Sequence, residues 1–174
     1  MRRVVISGCS GGGKSSLVNE LASRGYAIVQ EPGRRVIAAE RAAGGAGLPW
    51  DDELRFATLA YWMSIGDHEV AKTDPTFFDR SALDQAAWFQ RSDHPVPGNV
   101  PDYHRMVFMA PPWPDIYHFD DDRRHSFEDA VAEHEDLMER LPAWGYDCRL
   151  LPKIGIADRA DWVLGMLGVE GAVA

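Results

Sequence analysis

The sequence predicts an α/β fold in three layers, a five-stranded parallel sheet covered by helices on both faces. Two observations carry this expectation. Short apolar, β-branched runs such as residues 3–7 alternate along the chain with longer segments of helical periodicity. The connections between them are short and punctuated by Gly and Pro. A strand–helix–strand alternation of this kind closes only as a parallel sheet with helices packed on each side.

Taken in order, residues 3–7 form the first strand and a glycine-rich loop follows. Leu17, Val18, Leu21 and Ala22 then recur at helical spacing until Gly25 stops the helix. Residues 26–30 read as a second strand, which Glu31-Pro32-Gly33 ends by forcing a turn. A helix is expected from Arg34 to Arg41, and residues 43–49, with three glycines, form a flexible connection. From Asp51 the pattern is helical, with Leu54, Ala57, Tyr61, Ser64, Ile65 and His68 on one face and Asp51 or Asp52 as cap. Residues 76–78 form a strand running into Asp79-Arg80-Ser81, and a helix follows over 82–90. After a proline-containing loop at 93–101, residues 106–109 are a fourth strand, ended by the prolines from Pro111 onward. Ser126 and Asp129 fit the capping pattern [ST]-x-x-[DE] ahead of a stripe of Phe127, Ala130, Val131, His134, Leu137, Met138 and Leu141. A last strand at 148–151 and a helix carrying Ala160, Val163, Leu164 and Leu167 complete the single domain, 1–174.

Bulk properties narrow the functional classes. The 174 residues suit one domain, and a 45% hydrophobic, 26% charged composition is ordinary for a folded globular chain. With 18 Lys+Arg against 27 Asp+Glu, the net charge of −9 disfavours nonspecific binding to nucleic acid or to an anionic bilayer. Cys9 and Cys148 lack metal-ligand or disulfide-framework spacing, which fits a reduced, cytoplasmic setting. No run is long enough to span a membrane, and the N-terminal apolar run is too short for a signal peptide.

Chemistry concentrates at residues 8–15, Gly8-Cys9-Ser10-Gly11-Gly12-Gly13-Lys14-Ser15, which fit G-x-x-x-x-G-K-[ST] at every fixed position. Such a loop holds a polyphosphate on inward-pointing backbone N–H groups, and glycine permits both the tight turn and the close approach. Its place between a strand and a helix also aims the helix dipole at the phosphates. Lys14 supplies a charge for the β- and γ-phosphates; Ser10, Gly11 to Gly13 and Ser16 belong to the nucleotide cradle, and Ser15 is placed to ligate Mg²⁺.

Asp79, at a strand end, is a second Mg²⁺ ligand or the cap of the next helix. Arg80 clamps an acceptor or phosphoryl group, or else forms a surface ion pair; Asp84, four residues on, can pair with it and position it. Glu31 lies at a strand's carboxyl end, where it can accept or orient an acceptor hydroxyl, or simply cap a helix. Arg34 and Arg35 form a small basic cluster beside it and are candidate substrate-binding residues, with Glu31, Arg80 and Asp84. Arg123 and Arg124 either stabilise charge on the transferred group from a mobile segment or pair with Asp120 to Asp122. The histidines show no metal-binding spacing, His134 being a core residue, and Trp113 packs in its loop or stacks on a base.

With these motifs the chain resembles the P-loop kinase-like proteins called AAA_28-type predicted ATPases, which include relatives of nicotinamide riboside kinase domains. The resemblance rests on the 8–15 loop, Glu31-Pro32-Gly33-Arg34-Arg35, Phe78-Asp79-Arg80-Ser81 with Asp84, Ala110-Pro111-Pro112-Trp113, Arg123 to Phe127, and Leu151-Pro152-Lys153. Glu31-Pro32 and Asp79-Arg80-Ser81 also look like the glutamate and acid-arginine motifs of deoxynucleoside kinases. The similarity implies strand order 2-3-1-4-5, an acceptor between Glu31 and Arg80, an arginine-bearing lid at about 114–127, and a base-binding loop near Lys153.

The expectation is therefore an Mg²⁺-dependent P-loop phosphotransferase that uses ATP, or GTP, and a small-molecule acceptor. The rivals are a nucleotide-dependent binding switch and a simple nucleoside triphosphate hydrolase. No N-K-x-D sequence, the base-reading element of Ras-type switches, occurs in the chain.

Overall fold

The computed structural model of the protein describes residues 1–117 and 126–169. Among these residues five strands, β1 (Arg3–Gly8), β2 (Ala27–Val29), β3 (Thr76–Asp79), β4 (Met106–Ala110) and β5 (Asp147–Leu150), alternate with six α-helices. The helices are α1 (Lys14–Ser23), α2 (Pro32–Ala43), α3 (Glu53–Val70), α4 (Ala82–Arg91), α5 (Phe127–Ala143) and α6 (Ile156–Leu167). All strand pairs are parallel, and the order is β2-β3-β1-β4-β5.

The two-residue period of the strands divides the core between the two faces of the sheet. Val4, Ile6, Phe77 and Phe108 pack with Leu17 and Leu21 of α1 and Ala160, Val163 and Leu164 of α6. Val5, Phe78, Val107 and Met109 point the other way, onto Ala57 and Tyr61 of α3, Leu83 and Ala87 of α4, and Leu137 and Leu141 of α5. The central strands are therefore apolar on both sides, which explains their unbroken hydrophobic runs.

Order and register together position the site. β1 lies between β3 and β4, so the winding reverses beside it and a crevice opens at the strands' carboxyl ends. Ile6 is level with Asp79 and Gly8 with Ala110, which brings the glycine loop and the end of β3 to one edge.

Two local expectations are corrected and one open choice is resolved. Pro32 and Gly33 do not form a separate turn; they are the first residues of α2, because proline's fixed φ and missing N–H suit the first helical turn as well as a break. Leu54 is exposed on α3, whose buried face is Ala57, Ala60, Tyr61 and Ser64, so the stripe begins one turn later. The cap of α3 is Asp52, whose side chain accepts the Arg55 N–H at 2.9 Å.

Candidate active site

The glycine loop turns out of β1 at Gly8, where φ is +98° and a Cβ would meet the Ala110 carbonyl oxygen at 2.5 Å. Only glycine satisfies both conditions. The loop ends at Gly13, the left-handed N-cap of α1 (φ 80°), leaving the first N–H groups of that helix without intrahelical acceptors. Lys14 is buried, and its Nζ donates to the carbonyls of Gly8 at 3.2 Å and Cys9 at 2.8 Å. Burial, and then the nearby Arg80 charge, lower its pKa.

Ser15 and Asp79 meet across the crevice: the Ser15 hydroxyl donates to Asp79 Oδ2 at 2.6 Å. Asp79 is buried, and its Oδ1 has no hydrogen-bond partner among the described residues. Burial and then repulsion from Glu31 push its carboxyl up to about 6, against the pull of Lys14, the Ser15 hydroxyl and Arg80. It does not cap the following helix. That role belongs to Ser81, which forms a reciprocal capping box with Asp84. A hydroxyl beside a buried carboxylate with one unsatisfied oxygen is a donor set that fits a hard divalent cation such as Mg²⁺.

Arg80 follows in a left-handed conformation, φ 62°, with its N–H bonded to the Ile6 carbonyl at 3.0 Å. Its side chain is buried and is no surface pair. Nη1 and Nη2 donate to Glu133 Oε1 and Oε2 at 2.8 and 3.2 Å, Nη1 lies 3.4 Å from Asp84 Oδ1, and Nε lies 3.2 Å from Glu31 Oε1. Burial opposes the charge, but Glu133, Glu31 and Asp84 outweigh it and hold the guanidinium well above its ordinary pKa. Asp84 also receives the Ser7 hydroxyl and the Ser81 N–H, the latter at 2.8 Å. Its oxygens are thus engaged within the protein, as a brace for Arg80.

Glu31 stands at the N-cap of α2, with Oε2 3.4 Å from Arg34 Nε. A cavity of about 1010 Å³ is lined by Ser10, Gly11, Gly13, Lys14, Ser15 and Ser16, by Glu31, Arg34, Arg80, Asp84 and Glu133, and by the Phe56 and Trp88 rings. Most of the expected site residues are therefore brought together. Gly8 and Gly12 belong to the loop but face the protein rather than the cavity. Arg35 is directed elsewhere, onto Asp67 at 2.6 Å, and does not line the cavity. Lys153 is exposed and does not line it either. Arg123 and Arg124, and most of the expected lid, lie outside the described residues.

The family model AAA_28, described as an AAA domain, matches residues 3–159. The chain belongs to this family. Its AAA_28 domain is similar in structure to deoxyadenosine kinase from M. mycoides with bound dATP, at a TM-score of 0.64 and 12% identity, covering 97% of this chain and 100% of that one. It is similar to NadR protein in complex with NAD and AMP-PNP at 0.65 and 20% identity, covering 97% of this chain but 50% of the NadR chain. A third likeness, 0.58 at 14% identity over 96% and 93% of the chains, is to shikimate kinase from Acinetobacter baumannii in complex with shikimate. Together with the strand order these establish the P-loop kinase fold. Among curated proteins no sequence matches the chain significantly.

Two residues of the AAA_28 domain were not singled out by their sequence context. Glu133, in the acidic surface pattern of α5, supplies the two-pronged hold on Arg80. Arg159, in α6, is fully buried against the loop, donates from Nη1 to the Gly12 carbonyl at 3.2 Å, and lies 5.4 Å from the Trp113 ring centre. Trp113 therefore packs on an arginine.

Proposed function

We propose that this AAA_28 domain is an ATP-binding phosphotransferase that moves the γ-phosphoryl group to a hydroxyl of a small-molecule acceptor with Mg²⁺. The observation that carries the reading is one cavity holding three things: the phosphate loop, the Ser15–Asp79 pair with its unsatisfied buried oxygen, and Glu31 beside Arg80. Similar folds binding dATP and AMP-PNP support the choice of nucleotide.

The loop amides and the N-terminus of α1 would bind the polyphosphate, and Lys14 would exchange its two carbonyl partners for phosphate oxygens. Ser15 and Asp79 would hold Mg²⁺, which supplies charge neutralisation at the β- and γ-oxygens. Glu31 would take the acceptor's hydroxyl proton as the hydroxyl oxygen bonds to the γ-phosphorus and the bond to the β–γ bridging oxygen breaks, releasing ADP. Arg80, held by Glu133 and Asp84, would fix the Glu31 carboxylate within the cavity.

The deciding measurement is ADP and GDP release by purified protein with Mg²⁺ and ATP or GTP, alone and with a panel of nucleosides, nucleotides, sugars and vitamins. Acceptor-dependent ADP release that vanishes in Lys14→Ala is expected. Tight nucleotide binding with no acceptor-stimulated release would replace this reading with a nucleotide-dependent switch.

A further inference from the structure

The nucleotide reading places a polyphosphate on the inner side of the glycine loop, and the inference made here rests on that reading. Arg159 is fully buried, does not line the cavity, and has its Nη1 on the Gly12 carbonyl. Its Nε and Nη2 have no acceptor among the described residues. A buried guanidinium held by a neutral carbonyl and an aromatic ring, with no carboxylate partner there, is costly to maintain for packing alone.

We propose that Arg159 is a positioning residue for nucleotide binding: it orients the Gly12–Gly13 peptide so that the Gly13 N–H faces the phosphates, and it adds its buried charge behind them. The geometry follows from the peptide bond. In a trans peptide the C=O and the following N–H point in opposite directions. With the Gly12 oxygen drawn back to Arg159, the Gly13 N–H is turned away from Arg159, toward the side where Gly13, Lys14 and Ser15 line the cavity.

The neighbouring glycines match this arrangement. A Cβ on Gly12 would meet Ala110 Cβ and the Pro111 oxygen at 2.9 Å, so this residue is pressed against the protein. A Cβ on Gly13 would meet Arg159 Nη1 at 2.9 Å, so the close approach of the guanidinium itself favours glycine there. The planar guanidinium lies against Trp113 while one N–H reaches the carbonyl, a pair of contacts that a lysine ammonium does not reproduce.

The test is calorimetric titration of the full chain with MgATP and with inorganic tripolyphosphate, a probe of the phosphate site that carries no base. Wild type, Arg159→Gln and Arg159→Lys are compared well below their melting temperatures. Arg159→Gln is expected to weaken both ligands tenfold or more by similar factors, with Arg159→Lys in between. A packing role lowers the melting temperature but leaves both affinities in place. Folded Arg159→Gln that binds both within twofold of wild type overturns the inference, as does a loss confined to ATP, which would place the effect at the base. Should Arg159→Gln not fold, Trp113→Leu removes the stacking surface from a half-buried position; about threefold weaker binding of both ligands supports the inference, and unchanged binding overturns it. Wild type that binds neither ligand defeats the nucleotide reading itself, and this inference with it.

Discussion

The two ends of the cavity treat positive charge in opposite ways. At the phosphate end, Lys14 and Arg159 rest on the carbonyls of Gly8, Cys9 and Gly12, and neither forms an ion pair among the described residues. At the far end of β3, Arg80 is surrounded by Glu31, Asp84 and Glu133. Carbonyls satisfy the N–H groups without cancelling the charge, so the first pair leaves a positive field for an anion. Carboxylates cancel it, so Arg80 acts chiefly as a rigid strut that fixes Glu31. The contrast suggests that one end is built for affinity and the other for geometry.

The largest expected effect comes from removing the free charge at the phosphate end. Lys14→Ala should lower ATP-dependent turnover about 1,000-fold, on the order of 4 kcal/mol of transition-state stabilisation, with little change in melting temperature. Steady-state ADP release together with thermal melts checks both halves of that statement.

At the opposite end the result should invert. Arg80→Met leaves Glu31, Asp84 and Glu133 crowded together without their cation, and breaking a buried pair of this kind costs about 3 to 5 kcal/mol. Urea unfolding at pH 7 should show that loss, and it should shrink as the pH is lowered and the carboxylates protonate. A stability within about 1 kcal/mol of wild type would mean that the clamp is not the strut described here.

Glu31→Gln separates positioning from affinity. It preserves the shape at the N-cap of α2 but removes the charge that could accept a proton. Binding of ATP, followed by calorimetry, should stay within about threefold of wild type, while acceptor-dependent transfer falls about 100-fold or more. Equal loss of both would remove Glu31 from the transfer step.

The same division marks what could be read from the sequence. The phosphate loop was legible because its chemistry lies within eight consecutive residues and its strand–helix context is local. Asp79 and Arg80 were legible as a strand-end pair, but their surroundings were not. Glu133 lies 53 residues from Arg80 and looks like one more acid on a solvated helix face. Arg159, 147 residues from Gly12, looks like an exposed helical arginine until the fold buries it. Lys153 and Arg35 lie off the cavity lining, because charge near a motif says nothing about the direction of a side chain. The strand order came with the family resemblance, since periodicity identifies strands without ordering them.

His134 offers the smallest and most specific probe of the phosphate end. It lies on α5 with its ring against the turn out of β1, where a Cβ on Gly8 would come within 3.2 Å of Nδ1. Nδ1 has no partner among the described residues. Burial, and then the Lys14 charge, depress its pKa below 6.5, against weaker support from Glu135 and Glu133. The folded chain therefore keeps this imidazole neutral over a range in which the unfolded chain has begun to protonate it. Its contribution to stability is full above pH 6.5 and is lost as the pH falls from there through the folded pKa. His134→Leu should flatten the dependence of melting temperature on pH between 7 and 5, and a slope identical to wild type would show that this ring does not titrate differently in the two states. If the slope does flatten, the folded chain holds this imidazole neutral, first because it is buried and then because the Lys14 charge is near.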